Sequence, residues 1–132
     1  MTNNMMGSED FIEHFKMEED NSKPGRTLWS VKVGDVYMSR LIIDPGVTTG
    51  EYYHKVNKVM LYLESGSVLL KVENVITKER TKINLQPCKD VIHIPTFVAH
   101  PTTNIGKEPA VLVFFSNYPL RKDDDCYNYN VE

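Results

Sequence analysis

The stretch GEYYHKVNKVMLYLESG, residues 50–66, holds one histidine, three tyrosines and an apolar run that ends on glycine. Its second half, KVMLYLES, is rich in Val, Leu and Tyr and reads as a β-strand. Its first half places Tyr52 and His54 two residues apart. In an extended chain these share a face, so both rings point the same way. The stretch therefore reads as a strand leading out of a small-molecule site.

Runs of the same kind lie on either side. TLWSVKV, VYMSRLII, SVLLKVENV, RTKINL, DVIHIP and AVLVFFS are short and rich in β-branched and aromatic residues. Turn signals separate them: Gly34-Asp35, Asp44-Pro45-Gly46, Ser65-Gly66, Pro87, Pro95 and Gly106. No helical pattern intervenes between residues 26 and 117, which predicts an antiparallel sandwich or barrel. Residues 1–25 are polar. Within SEDFIEHFKMEED, Phe11, Ile12 and Phe15 recur at helical spacing, with Ser8 as cap and Glu9 and Asp10 at the positive helix end. This predicts one short amphipathic helix, stopped by Pro24-Gly25. Residues 118–132 form a tail. Pro119 and Asp123-Asp124-Asp125 end the last strand, and Tyr127 and Tyr129 are suited to anchor the tail by ring packing.

The chain has 132 residues, the length of one domain. A formal net charge of −3 reads against a nucleic-acid partner, which selects a basic excess. No apolar run approaches membrane-spanning length. The first residues lack the basic and apolar segments of a signal peptide. Two cysteines far apart, Cys88 and Cys126, fit free thiols in the cytoplasm.

A second stretch, IPTFVAHPTTN (residues 94–104), carries the family resemblance. It resembles the second motif of the cupin superfamily, G-x5-P-x-G-x2-H-x3-N. Pro95, His100 and Asn104 fall on the pattern, while Lys89 and Phe97 replace its glycines. Residues 50–66 resemble the first motif, G-x5-H-x-H-x3-4-E-x6-G. His54 and Gly66 match it, Tyr52 stands at the first histidine, and Val59 or Lys58 stands at the glutamate. The resemblance implies an all-β fold: a small double-stranded β-helix, the cupin jelly-roll barrel, here with a short N-terminal helix. Its site would lie in the barrel mouth.

In metal-binding cupins two histidines and a glutamate of the first motif join the histidine of the second. Only His54 and His100 carry over, and two imidazoles fall short of the three protein ligands usual at catalytic zinc. No cofactor is firmly implied; a divalent metal on His54 and His100 stays an open alternative. Without metal, neutral His54 is able to take or give a proton, with Tyr52 as hydrogen-bonding partner. His93 has the wrong spacing for the site and His14 lies in the polar extension. Asn104 supports its turn in cupins.

The tail FFSNYPLRKDDDCYNY and the first-motif region also resemble cupins of surface-polysaccharide biosynthesis, including sugar-nucleotide ketoisomerases. This implies a sugar-like ligand and isomerase or epimerase chemistry at His54 and Tyr52. His100, Arg40, Tyr62 and Lys71 are the candidate substrate contacts. Arg40 qualifies if its planar fork points into the barrel; Lys71 and Tyr62 are open between site and surface or core. The alternatives are a metal-dependent cupin enzyme and a non-enzymatic sensing or structural cupin. Exposed strand edges predict a homodimer.

Overall fold

Each apolar run read from the sequence forms a strand. The computed structural model describes residues 5–8, 11–119 and 125–131. The long strands are β4 (Arg26–Val33), β5 (Val36–Ile43), β8 (Val59–Ser65), β9 (Val68–Asn74), β10 (Arg80–Asn84), β11 (Val91–Ile94) and β14 (Ala110–Ser116). Shorter pieces complete the ladders: β6 (Thr48–Thr49), β7 (Tyr52–Tyr53), β12 (Val98–Ala99), β13 (Thr102–Asn104) and β15 (Tyr127–Asn128). Among the described residues no helix is long and apolar enough to cross a membrane.

Two large antiparallel sheets result, beside two-stranded pairs. One runs β11-β8-β14-β5-β4 and ends on β3 (Glu18–Asp20). The other runs β10-β9-β13-β6, with β12 also paired to β9. Alternation sorts the side chains. Val59, Leu61 and Leu63 of β8 turn inward, as do Leu41 and Ile43 of β5 and Leu112 of β14. They meet Val68 and Leu70 of β9 in one core between the sheets. Each such buried side chain contributes roughly 1.5–3 kcal/mol by leaving water. The described ladders do not close into one continuous barrel, so the architecture is a jelly-roll sandwich.

The N-terminal helix does not form. Glu9 and Asp10 lie outside the described residues; on either side run β1 (Met5–Ser8) and β2 (Glu13–Phe15), paired with each other. Strand β3 then pairs with β4. Two effects account for this. An isolated helix of that length is marginal in water, and its apolar stripe finds no cover: Phe11 is 88% exposed and Ile12 50%. The open edge of β4 offers backbone hydrogen bonds instead.

The turn between β11 and β12 departs from its motif in sequence and keeps it in shape. Phe97 stands where the motif has glycine, yet holds φ +62°, in the left-handed region. That conformation costs a non-glycine residue about 1–2 kcal/mol. The surroundings offset it. The Phe97 N–H donates to the His54 carbonyl (2.8 Å), and its own carbonyl accepts from Val75 (3.0 Å). Its ring stacks on Tyr53 with centroids 6.0 Å apart.

Asn104 closes the far end of the motif. Its amide donates to the carbonyls of Ile43 and Glu108, both at 2.9 Å, and its oxygen accepts from the Gly106 N–H. The residue is 1% exposed. Substituting Asn104→Ala strands these buried groups and is expected to lower the unfolding free energy by roughly 2–3 kcal/mol, read from urea titration.

Candidate functional site

His54 follows β7 directly, and its position depends on a residue 71 places away. The Asp125 carboxylate is wrapped by three successive backbone N–H groups: Lys55 at 2.9 Å, Val56 at 3.0 Å and Asn57 at 2.8 Å. This is an anion-binding nest of backbone donors. The Asp125 carbonyl accepts a hydrogen bond from His54 Nδ1 at 2.7 Å. A carbonyl only accepts, so Nδ1 carries the hydrogen and Nε2 of the neutral ring is left as a lone pair. That Nε2 is buried and has no hydrogen-bond partner among the described residues; the same holds for both side-chain polar atoms of Asn57.

His100 repeats the pattern. Its Nδ1 donates to the Val98 carbonyl at 3.3 Å, which again leaves Nε2 as the acceptor. Thr102 donates its hydroxyl to the His100 carbonyl at 3.0 Å. Gly50 makes the approach of this backbone feasible. It sits at φ +82°, and a Cβ there would lie 2.8 Å from the His100 carbonyl oxygen. The rings of Tyr52, His54 and His100 form a nearly equilateral triangle, with centroids 5.2, 5.6 and 5.8 Å apart. Tyr52 meets both imidazoles edge to face and takes the third corner.

Both imidazoles are neutral near pH 7. Burial lowers the His54 pKa, opposed by the hydrogen bond to Asp125 and by its charge. Burial and the neighbouring His54 push His100 down to about 4. Beside Tyr52 and His100 the sandwich interior leaves a cavity of only about 20 Å³, lined also by Leu28, Leu41, Thr49, Thr102 and Phe114. That is room for a single water molecule.

The donor set does not fit a catalytic metal. His54 and His100 offer two neutral nitrogens, Val59 lies in the core at 1% exposure, and Lys58 is exposed. Among the described residues no group of three or more His, Cys, Asp or Glu side chains is placed to hold an ion.

Three sequence candidates lie elsewhere. Arg40 is on the outer face of β5, paired with Glu64 at 3.3 Å. Its parity with Met38 and Ile42 is the outward parity, because Ser39, Leu41 and Ile43 are the buried set. Tyr62 faces outward from β8 by the same rule. Lys71 sits on the outer face of β9 opposite Lys82, beside a groove of about 210 Å³. His93 and His14 are exposed. Asp125 and Asn57 were not legible as site residues. Asp125 ends an acidic triplet, and only the return of the tail brings it to His54. That return is fixed by pairing of β15 with β7, stacking of Tyr127 on Tyr53, and a Tyr129 hydroxyl bond to buried Glu73.

The family model described as polysaccharide biosynthesis C-terminal domain matches residues 26–127. No curated protein matches in sequence. Among solved structures, the capsular polysaccharide assembling protein CapF from Staphylococcus aureus superposes with a TM-score of 0.78 at 22% identity, over 92% of this chain and 33% of that one. Oxalate decarboxylase from Lactobacillus farciminis, a formate complex, gives 0.69 at 19% identity, over 85% and 32%. Recombinant oxalate oxidase in complex with glycolate gives 0.64 at 20%, over 74% and 54%. The chain thus spans about a third of CapF and about half of the oxidase. At these identities the likeness is one of fold.

Two measurements test the site. A histidine with a depressed folded pKa takes up protons more readily when unfolded, so its contribution is present above pH 6.5 and is lost as pH falls toward 4. For His100 the loss between pH 7 and 4.5 is expected at roughly 2 kcal/mol, and the substitution His100→Gln removes that part of the pH dependence in urea titrations. Replacing Asp125→Asn removes a charge that raises the His54 pKa. By histidine NMR titration the His54 pKa should fall further, and unfolding free energy should drop by roughly 1–3 kcal/mol.

Proposed function

The chain belongs to the cupin superfamily and, within it, to the polysaccharide biosynthesis C-terminal domain family; from that premise we propose that it binds a sugar or sugar nucleotide at Tyr52, His54 and His100 without a catalytic metal. The observation that carries this is the buried His54 Nε2, fixed as an acceptor and lacking a donor among the described residues. An unpaired acceptor in a dry interior costs about 1–3 kcal/mol. A sugar hydroxyl supplies the missing proton, and the His100 Nε2 beside it offers a second acceptor. Tyr52 is half-buried where both imidazoles are buried. With space for one water, Tyr52 is the ring that has to move for a ligand to enter.

The depressed pKa values favour hydrogen-bond acceptance over proton abstraction. A lowered pKa leaves a base deprotonated but weaker. Isomerase or epimerase activity at His54, with Tyr52 as partner, is the extension of this reading. A structural or sensing role is the second reading, and the filled interior favours it.

Calorimetry against a panel of monosaccharides and nucleotide sugars separates the two. Binding is expected in the micromolar to millimolar range, weakened at least tenfold by His54→Phe, and reached faster in Tyr52→Ala, where the ring no longer obstructs entry. No heat with any ligand, for the wild type and for Tyr52→Ala alike, would leave the structural reading. Elemental analysis of untagged protein is expected to give well under one metal ion per chain; a stoichiometric divalent ion would restore the metal-dependent alternative.

A further inference from the structure

The outer face of the sheet β10-β9-β13-β6 gathers positive charge on a chain whose formal net charge is −3. Val68 and Leu70 of β9 turn into the core, so Lys71 and Glu73 turn outward. The antiparallel register sets Arg80 of β10 opposite Glu73 and Lys82 opposite Lys71. The first pair is satisfied. Arg80 Nε donates to Glu73 at 2.8 Å, and the other Glu73 oxygen accepts from the Tyr129 hydroxyl. The second pair is not. Among the described residues neither Lys71 nor Lys82 has an ion pair or a side-chain hydrogen bond. Like charges directly opposite weaken a strand pair. Lys82 alone is ordinary, because edge strands carry lysine against unwanted pairing. Lys71 is not: β9 is flanked by β10 and β13, and the side chain is half-buried. Its backbone N–H donates to the Pro101 carbonyl at 3.0 Å, which fixes where its stem leaves the sheet. Beside the two lysines opens a groove of about 210 Å³, lined also by Arg80, Thr81 and Val131. No lining residue is acidic. Val131, in the returning tail, is buried and walls the groove.

We propose that this groove is a second binding site, separate from Tyr52, His54 and His100, and that it takes a phosphate group between Lys71 and Lys82. An oxyanion placed there turns a repulsive pair into two charge-assisted hydrogen bonds. Phosphate suits the pair better than a carboxylate. It carries nearly two negative charges at neutral pH and several strong acceptor oxygens, so each ammonium group binds its own oxygen. The Thr81 hydroxyl on the rim is a further donor. Arg80, held in place by Glu73, adds a third positive wall. The groove has space for several waters, enough for a phosphate and part of its ester group against Val131. The site is independent of the sugar reading: the groove opens on the outer face of the sheet, whereas His100 lines the interior.

Thermal unfolding and calorimetry with sodium phosphate, against sodium chloride at matched ionic strength, test this on the full chain. A dissociation constant of about 1 mM is expected. At ten times that concentration the unfolding midpoint should rise roughly 4 °C above the chloride control. Lys71→Gln and Lys82→Gln should each weaken phosphate binding at least about fivefold, and the double variant should abolish it. Without phosphate the sign reverses. In low salt each single variant should unfold at a higher temperature than the wild type, because the repulsion is gone. Lys107→Gln, exposed and off the groove, should bind phosphate as the wild type does. Sources of the phosphate are told apart by titrating ADP and glucose 1-phosphate beside inorganic phosphate. Tighter binding of one assigns the groove to a diphosphate or to a sugar phosphate, and equal binding assigns it to the phosphate group alone. Phosphate that stabilises no more than chloride, or acetate that binds as well, overturns the proposal. So does a double variant that still binds phosphate, or single variants that unfold below the wild type, since each lysine would then already have a partner.

Discussion

The Asp125 carboxylate in its cradle of backbone N–H groups is the contact on which the site depends. Three donors from residues 55–57 close on it. Charge-assisted bonds of this kind are about twice as strong as neutral ones. The same residue uses its carbonyl to fix the His54 tautomer. One side chain therefore ties the tail to the sandwich, shapes the turn after β7, and decides which nitrogen of His54 faces inward with a lone pair. The aromatic contacts around Tyr53 reinforce it: Phe97 stacks on one partner surface of the ring, Tyr127 on another, and Tyr129 meets it edge-on. The strained turn at Phe97 is held through the same cluster, so the tail, the second motif and the first motif form one unit.

That unit explains the electrostatics. Closing the interior removes water from both imidazoles, and desolvation disfavours their charged forms. Two adjacent histidines amplify this, because a proton on one opposes a proton on the other. A carboxylate at position 59 would change the balance, but Val59 is packed into the core with Leu61 and Leu63. What remains is a neutral pair of acceptors with a tyrosine ring at the third corner.

The long strands were legible because their signal is local. Each run is apolar and β-rich, and each is bounded by a turn residue whose backbone freedom is needed, as at Gly66, where a Cβ would lie 2.8 Å from the Ala110 Cα. Tyr52, His54 and His100 were legible through two spaced motifs. The misplaced residues failed for a shared reason. Parity in a strand says which residues lie together, but not which face is the inner one. Arg40 and Tyr62 lie on the solvent side, because Leu41, Ile43, Leu61 and Leu63 take the core. The helix at the N-terminus failed because periodicity predicts a helix only where its stripe has a surface to cover. Asp125 gave no signal of its own: Tyr127 and Tyr129 marked a tail suited to anchoring, but only the long-range pairing of two-residue strands decides which carboxylate reaches His54.

Parity also links the two faces of the large sheet. Residues 59–65 alternate between the sealed interior and the apolar exterior, so the strand that follows His54 carries Leu61 and Leu63 inward and Met60 and Tyr62 outward. A one-residue slip of β8 would exchange these sets. The slip is resisted at both ends, by the bonds of residues 55–57 to Asp125 and by the close approach of Gly66 to Ala110. The clamp that orients His54 therefore also holds the register that places Met60 and Tyr62 on the outside. A change at Asp125 would be felt on both faces, through one strand.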